Sequence, residues 1–193
     1  MPIWEIFRVE PEKLRHKVSW PELSNTLEAV FLPSQSDDTL LGKCLTIPIQ
    51  TAYILPVENE SIGYIAVAWF NSLPVRTYVA SYAERARGAY FRQISWVLGL
   101  LPVPEAIQGL LKSKDTKDGL LLEMEKLSRQ LHSGPSKSDK QAMEERLDSI
   151  VCQLYGISDP DNIQAIREYA GFRSGAILSN TVEPTTETDD EES

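Results

Sequence analysis

An α+β fold is what this sequence predicts, and three observations predict it. The first 56 residues alternate β-branched and aromatic runs with prolines and polar turns. Two stretches between residues 59 and 86 have caps and helical spacing. From residue 113 onward the apolar residues recur at three- and four-residue intervals. The expected architecture is a small irregular β-rich unit with two helices over residues 1–112. A helical hairpin and closing helix follow over 113–174, then a disordered acidic tail over 175–193.

Element by element, PIWEIFRV near the N-terminus alternates weakly. EAVFL (28–32) and KCLTIPIQTAYILPV (43–57) have the β-branched and aromatic content of strands. PSQSDDTLLG between them is a loop by composition. Pro48 and Pro56 cannot donate to a ladder, which predicts edge-like or interrupted strands. Asn59 or Ser61 can cap a helix over SIGYIAVAWFNS, which is apolar on nearly every side and so should be buried. Pro74 suits the first turn of a second helix, PVRTYVASYAERA, with Gly88 as its stop. AYFRQISWVLGLLPVP then reads as extended as far as Pro102 and Pro104.

Further on, Leu120, Met124, Leu127 and Leu131 form one helical stripe, and Met143, Leu147, Ile150 and Leu154 a second. The turn HSGPSKSD joins them into an antiparallel hairpin whose stripes are expected to pack mainly on each other. Gly156 stops the second helix, and DPDNIQAIREYAGF forms the last one. These stripes read as intramolecular core, with docking to a partner as the other reading.

Composition narrows the function. At 193 residues and 42% hydrophobic content the chain can bury a real core. No apolar run reaches the roughly 18–20 residues a membrane helix needs. MPIWEIFRVEPEK lacks the basic start and apolar core of a signal peptide. Cys44 and Cys152 are far apart and read as thiols in a reducing compartment, so a cytoplasmic location is expected.

Catalytic signatures are missing. The two histidines are His16 and His132, the latter in a polar turn. There is no phosphate-binding loop, no dinucleotide fingerprint and no metal-ligand spacing. The Asn-Pro-Pro-Tyr signature of adenine methyltransferases is absent too. Glu105, Asp115 and Lys117 imitate a metal-dependent nuclease only weakly. The chain is expected to be no enzyme by itself and to bind no cofactor.

The net charge of −9 is unevenly spread. Glu183, Glu187, Asp189, Asp190, Glu191 and Glu192 have no compensating base after residue 182, which leaves only −3 on the body. Residues 71–100 carry Arg76, Arg85, Arg87 and Arg92 against Glu84 alone. Screening beyond about 8 Å makes this local surplus matter more than the total. Its centre is ERARGAYFRQISW (84–96). Arginine forks pair with guanine or clamp phosphate, and glutamine pairs with adenine. Gly88 permits a sharp turn, and Tyr90 can stack on a base. Candidate DNA contacts are therefore Arg76, Arg85, Arg87, Gly88, Tyr90, Arg92 and Gln93. Arg92 and Gln93 are expected to read bases, and Arg85 and Arg87 to hold phosphate. The plainer reading is an aromatic core of Tyr90, Phe91 and Trp96 beneath a solvated helix end.

Residues 52–104 resemble the C-terminal target-recognition domains of N6-adenine DNA methyltransferases from restriction–modification and related phage-defence systems. The likeness rests on a helix ending Asn71-Ser72, a second helix, Gly88 beside Tyr90-Phe91, and a closing Pro102-Val103-Pro104. LDSIVCQLYGISDPDNIQAIREY (147–169) is similar to the closing helices of the same proteins. The resemblance implies a non-catalytic module that selects the double-stranded DNA sequence on which a separate methyltransferase domain or subunit acts. That partner would bind S-adenosylmethionine and flip the target adenine. Such modules usually end a longer enzyme, so a split subunit or a fragment is expected. The alternative is a protein-interaction subunit of a defence complex that works through its helical hairpin.

Overall fold

Strand β1 (Lys17–Pro21) is buried along almost its whole length because it is the middle strand of an antiparallel sheet. The structure is a computed structural model and describes residues 15–38, 42–44, 46, 48, 51–86, 90–113 and 118–173. The N-terminal PIWEIFRV stretch, Asp115, Lys117 and the acidic tail (175–193) lie outside the described residues.

After β1 comes β2 (Leu23–Ser24), then β3 (Val30–Leu32), which pairs with β1 in the register Val18↔Phe31. A short hairpin of β4 (Ser36–Asp38) and β5 (Gly42–Cys44) leads to β6 (Ala52–Pro56). β6 flanks β1 on its other side, with Trp20 opposite Tyr53, and Pro56 ends this edge strand where it can no longer donate.

Helix α1 (Glu60–Asn71) starts at Asn59, whose side chain accepts the Ile62 N–H at 2.9 Å. Of the two caps the sequence offers, the first is used. The helix lies across the sheet with Ile62, Ile65, Ala68, Trp69 and Phe70 buried. Helix α2 (Leu73–Tyr82) has Pro74 in its first turn, as expected.

The next segment departs from expectation. Helix α2 stops at Tyr82, before Gly88, and the chain becomes β7 (Glu84–Arg85). β7 pairs with β8 (Phe91–Arg92), and β8 pairs on its other side with β2. Pairing with β8, itself held by distant β2, outweighs the helical propensity of the 83–86 run. Residues 93–102 are likewise not extended throughout. They contain α3 (Ser95–Gly99), which turns Val97 fully inward. A short apolar run looks the same for a buried strand and a buried helix.

Four helices complete the chain: α4 (Glu105–Ser113), α5 (Gly119–His132), α6 (Lys137–Leu154) and α7 (Pro160–Arg173). Asp118 caps α5 and Ser136 caps α6 through side-chain oxygens. Helix α6 ends at Gly156, whose φ of +70° lets the Ile157 N–H reach back to the Cys152 carbonyl at 2.9 Å.

α5 and α6 are antiparallel as the sequence suggests, but they do not pack mainly on each other. α5 packs more extensively on α1, and α7 lies against α2. The fully buried positions of α5 are Leu121, Met124 and Ser128, shifted from the expected stripe, while Leu120, Leu127 and Leu131 are partly covered. Leu121, Met124, Leu147, Ile150 and Val151 belong to the same buried cluster as Val18, Phe31 and Ile65.

Polar ties reinforce the α1–α5 contact. Arg129 sits 4.2 Å over the Tyr64 ring and bonds both Glu125 and Glu60. Ser61 Oγ donates to the other oxygen of Glu125. Across the hairpin, Arg146 makes a two-pronged contact with Glu123 at 2.7 Å. Trp69 Nε1 donates to the Tyr155 hydroxyl, which donates in turn to the Pro102 carbonyl, joining α1, the end of α6 and the α3–α4 connection.

Candidate nucleic-acid interface

The basic segment folds as a β-hairpin on a three-stranded sheet ordered β2-β8-β7. Glu84 faces Arg92, Arg85 faces Phe91, and the Ala86 N–H closes on the Tyr90 carbonyl at 2.9 Å. Side chains along β8 alternate between the two faces. Phe91 and Gln93 turn inward, at 1% and 2% exposure, while Tyr90 (51%) and Arg92 turn outward. Leu23, opposite Arg92 on β2, is exposed as well.

This alternation separates two residues that were expected to read bases together. Arg92 faces solvent, but Gln93 faces the core. The Gln93 carbonyl accepts the indole N–H of Trp20 at 2.9 Å, and its own N–H donates to the Glu22 carbonyl at 2.7 Å. Its side-chain Oε1 is buried without a partner among the described residues. In this conformation Gln93 holds the β2–β8 sheet to β1 and does not reach a ligand.

Arg76 is also drawn inward. Its Nε donates to the Leu27 carbonyl at 2.9 Å. It lines a cleft of about 400 Å³ beside Glu28, Glu144 and Asp148, and burial pulls its pKa down against the attraction of those three carboxylates. Its place is a clamp between the β2–β3 connection and α2, well away from the hairpin sequence.

Arg85 and Arg92 are exposed, and neither has a side-chain hydrogen bond or ion pair among the described residues. Glu84 stands across from Arg92 in the register without closing a salt bridge. The arginines of the helical region behave differently, since Arg129 and Arg146 are both paired with carboxylates. Arg87 and Gly88 lie outside the described residues. The outward face thus presents Tyr90 and Arg92, with Glu84 and Leu23 on either side of Arg92, while Arg85 is exposed on the edge strand opposite Phe91.

Sequence reasoning missed the rest of the exposed apolar surface here. Tyr82, Trp96 and Leu100 are each about half exposed. Tyr78, whose ring is tilted against that of Tyr82, donates its hydroxyl to the Leu100 carbonyl, so the end of α2 and the end of α3 are neighbours. Trp96 looks like a core residue by type, and only its position next to inward-facing Val97 turns it out.

The cleft around Arg76 yields a prediction about stability. Helix α2 has no local side-chain cap; instead Asp148, from α6, accepts the Leu73 N–H at 2.7 Å. Burial raises the Asp148 carboxyl pKa more than this N–H and Arg76 lower it. The folded state therefore holds its proton longer than the unfolded state. That contribution is fully present below the unfolded carboxyl pKa and declines as pH rises through the raised folded value. Asp148→Asn keeps an acceptor for Leu73 without the charge. The stability gap between variant and parent should grow in the variant's favour from about pH 4 to 7. Urea denaturation at both ends of that range measures it; a variant less stable than the parent at pH 7 would contradict the argument.

Among the described residues, no group of three or more His, Cys, Asp or Glu side chains is placed to hold a metal ion. No helix among them is long and apolar enough to cross a membrane. Comparison of the chain with protein-family models, curated proteins and solved structures finds no match.

Proposed function

We propose that this chain is a non-catalytic DNA sequence-specificity module that directs a separate N6-adenine DNA methyltransferase to its site. The observation that carries the DNA part is the β7–β8 hairpin, where Arg92 and Tyr90 are exposed on its outward face, Arg85 is exposed on the edge strand, and neither arginine is paired among the described residues. Among the described residues Arg85 and Arg92 have no ionic partner while Arg129 and Arg146 are paired, which leaves the first two available for an anionic partner. The methyltransferase part is supported by the resemblance of residues 52–104 and 147–169.

In this reading Arg92, on the outward face of the central strand, enters the groove, and Arg85, on the edge strand, meets the backbone. Arg85→Ala should weaken binding to all duplexes alike and lower the salt slope by about one. Arg92→Ala should relax one position of the site at a cost of about 1–3 kcal/mol. Neither should lower the melting temperature, because neither side chain is buried or is paired among the described residues. Binding to a randomised duplex library at two salt concentrations, with and without a methyltransferase core, measures the first two, and thermal denaturation the third. If both variants keep the parent's site preference and salt slope, the hairpin is not the DNA contact.

A second reading, a protein-interaction subunit, draws on a different feature. An apolar groove of about 350 Å³ runs between α2 and α7, lined by Val75, Tyr78, Pro102, Ile157, Ile166 and Tyr169. Tight partner binding that survives Arg85→Ala/Arg92→Ala and is lost on Ile166→Glu would favour it.

A further inference from the structure

We infer that the cleft around Arg76 binds a small zwitterion, a free α-amino acid with an apolar side chain. The inference goes beyond the proposed function and does not depend on the hairpin's contact with DNA.

The cleft has a volume of about 400 Å³, within the usual range of small-molecule sites. Its walls come from the β2–β3 connection and from α1, α2, α5 and α6. Arg76 is anchored there through Nε, which donates to the Leu27 carbonyl at 2.9 Å. A guanidinium has five N–H donors, and that bond uses one. Neither terminal nitrogen, Nη1 or Nη2, has a hydrogen bond or an ion pair among the described residues. Burial opposes the charge of this group, so it gains from a partner that reaches it.

The carboxylates nearby are not equally free. Glu144 stands 3.7 Å from Lys140, one turn before it on α6, and these two charges offset each other. Asp148 gives one oxygen to the Leu73 N–H at 2.7 Å. Glu28 has neither a hydrogen bond nor an ion pair from its side chain among the described residues. Its neighbours Leu27 and Ala29 are both buried, which fixes its backbone and leaves its side chain exposed. Arg76 and Glu28 thus line one cleft with opposite charges and do not close on each other.

Simple ions do not suit this arrangement. An anion on Arg76 would also meet the field of Glu28, Glu144 and Asp148. A cation at Glu28 would meet that of Arg76 and Lys140. A molecule with both charges matches both groups: its carboxylate takes the free N–H donors of Arg76, and its ammonium takes Glu28. A free α-amino acid carries the two charges on one carbon, whereas a peptide carries them at opposite ends. Val67, Ala68, Leu131 and Leu147 give the side chain an apolar wall.

The test is calorimetric titration of the full chain with L-leucine, L-methionine and L-phenylalanine. Two derivatives of the best binder follow: its amide, which lacks the carboxylate, and its N-acetyl form, which lacks the ammonium. At least one amino acid should bind saturably, and both derivatives should bind at least about tenfold more weakly. Glu28→Gln should keep the parent's melting temperature and weaken the amino acid about tenfold, without changing the affinity for the N-acetyl form. Arg76→Lys, which keeps the charge but loses the fork, should weaken the amino acid and not its amide. If Arg76→Lys does not fold, Glu28→Gln decides the matter. No saturable heat from the folded parent with any of the three at about 10 mM overturns the inference. So does a derivative bound as tightly as the amino acid, or an unchanged affinity in Glu28→Gln.

Discussion

Met124→Asp is expected to unfold the whole chain, not only its C-terminal third. Met124 is 0% exposed on α5, within the cluster that also holds Ile65 of α1 and Ile150 of α6. An unpaired charge at such a site costs about 3–5 kcal/mol. Total stability for a domain of this size is about 5–15 kcal/mol, so the loss is a large fraction of it. If the hairpin folded by itself, only its own helices would melt. The packing of α5 on α1, the Arg129 contacts to Glu60 and Tyr64, and the Trp69–Tyr155 bond argue against that independence. Helical circular dichroism and the near-ultraviolet signal of Trp20 and Trp69 should therefore fall in one coincident transition, shifted far down in temperature. Met124→Leu, which conserves volume, should cost less than about 1.5 kcal/mol. Two separated transitions, with the aromatic signal retained through the first, would show that the hairpin is an autonomous unit.

Much of the fold was legible because its signals are local. The Asn59 cap, Pro74 in a first turn and Gly156 after α6 act within a few residues, and each stands where the sequence indicated. What was not legible depends on distant partners. Glu84 and Arg85 sit in a run with helical propensity, yet they form a strand because β8 is held between them and β2, some sixty residues away in sequence. The cap of α2 comes from Asp148, which no reading of residues near Leu73 can supply. The stripe on α5 keeps Met124 but is widened to Leu121 and Ser128 for the same reason: its main neighbour is α1, so the face that must be covered is set by two contacts at once.

The candidate site shows the same division. A period of two along 90–93 is a backbone property, and it correctly opposes Tyr90 and Arg92 to Phe91 and Gln93. Which of those faces looks outward is decided by the core beneath β8, and that is what removes Gln93 from the surface. Arg76 belongs by composition to the basic segment, but its side chain turns to the Leu27 carbonyl and three carboxylates. Composition locates a surplus of positive charge and does not distinguish a structural clamp from a free cation.

Gly63→Ala should destabilise the chain by up to about 2 kcal/mol even though alanine is the better helix former. Gly63 lies inside α1, where glycine alone costs roughly 0.8–1.0 kcal/mol relative to alanine. The reason for glycine there is the closeness of β3. A Cβ at residue 63 would come within 2.4 and 2.5 Å of ring carbons of Phe31. That is far inside the 3.5–4.0 Å separation at which carbon atoms attract. The ring cannot easily yield, since Phe31 is 2% exposed, stacked on His16 at 5.8 Å and tilted against Tyr64 at 4.7 Å. Overpacking of this kind costs about 1–3 kcal/mol, and its upper part exceeds the gain in helix propensity. Moving α1 away to relieve the clash would loosen the contacts of Ile62 and Ile65 with the sheet as well. Phe31→Leu removes the ring atoms in question, so in that background the alanine substitution should become neutral or stabilising. A double-mutant cycle by urea denaturation should then give a favourable coupling of about 1–2 kcal/mol. A rise in melting temperature for Gly63→Ala alone would mean that α1 and β3 are further apart than this packing requires, and that the glycine serves no close approach.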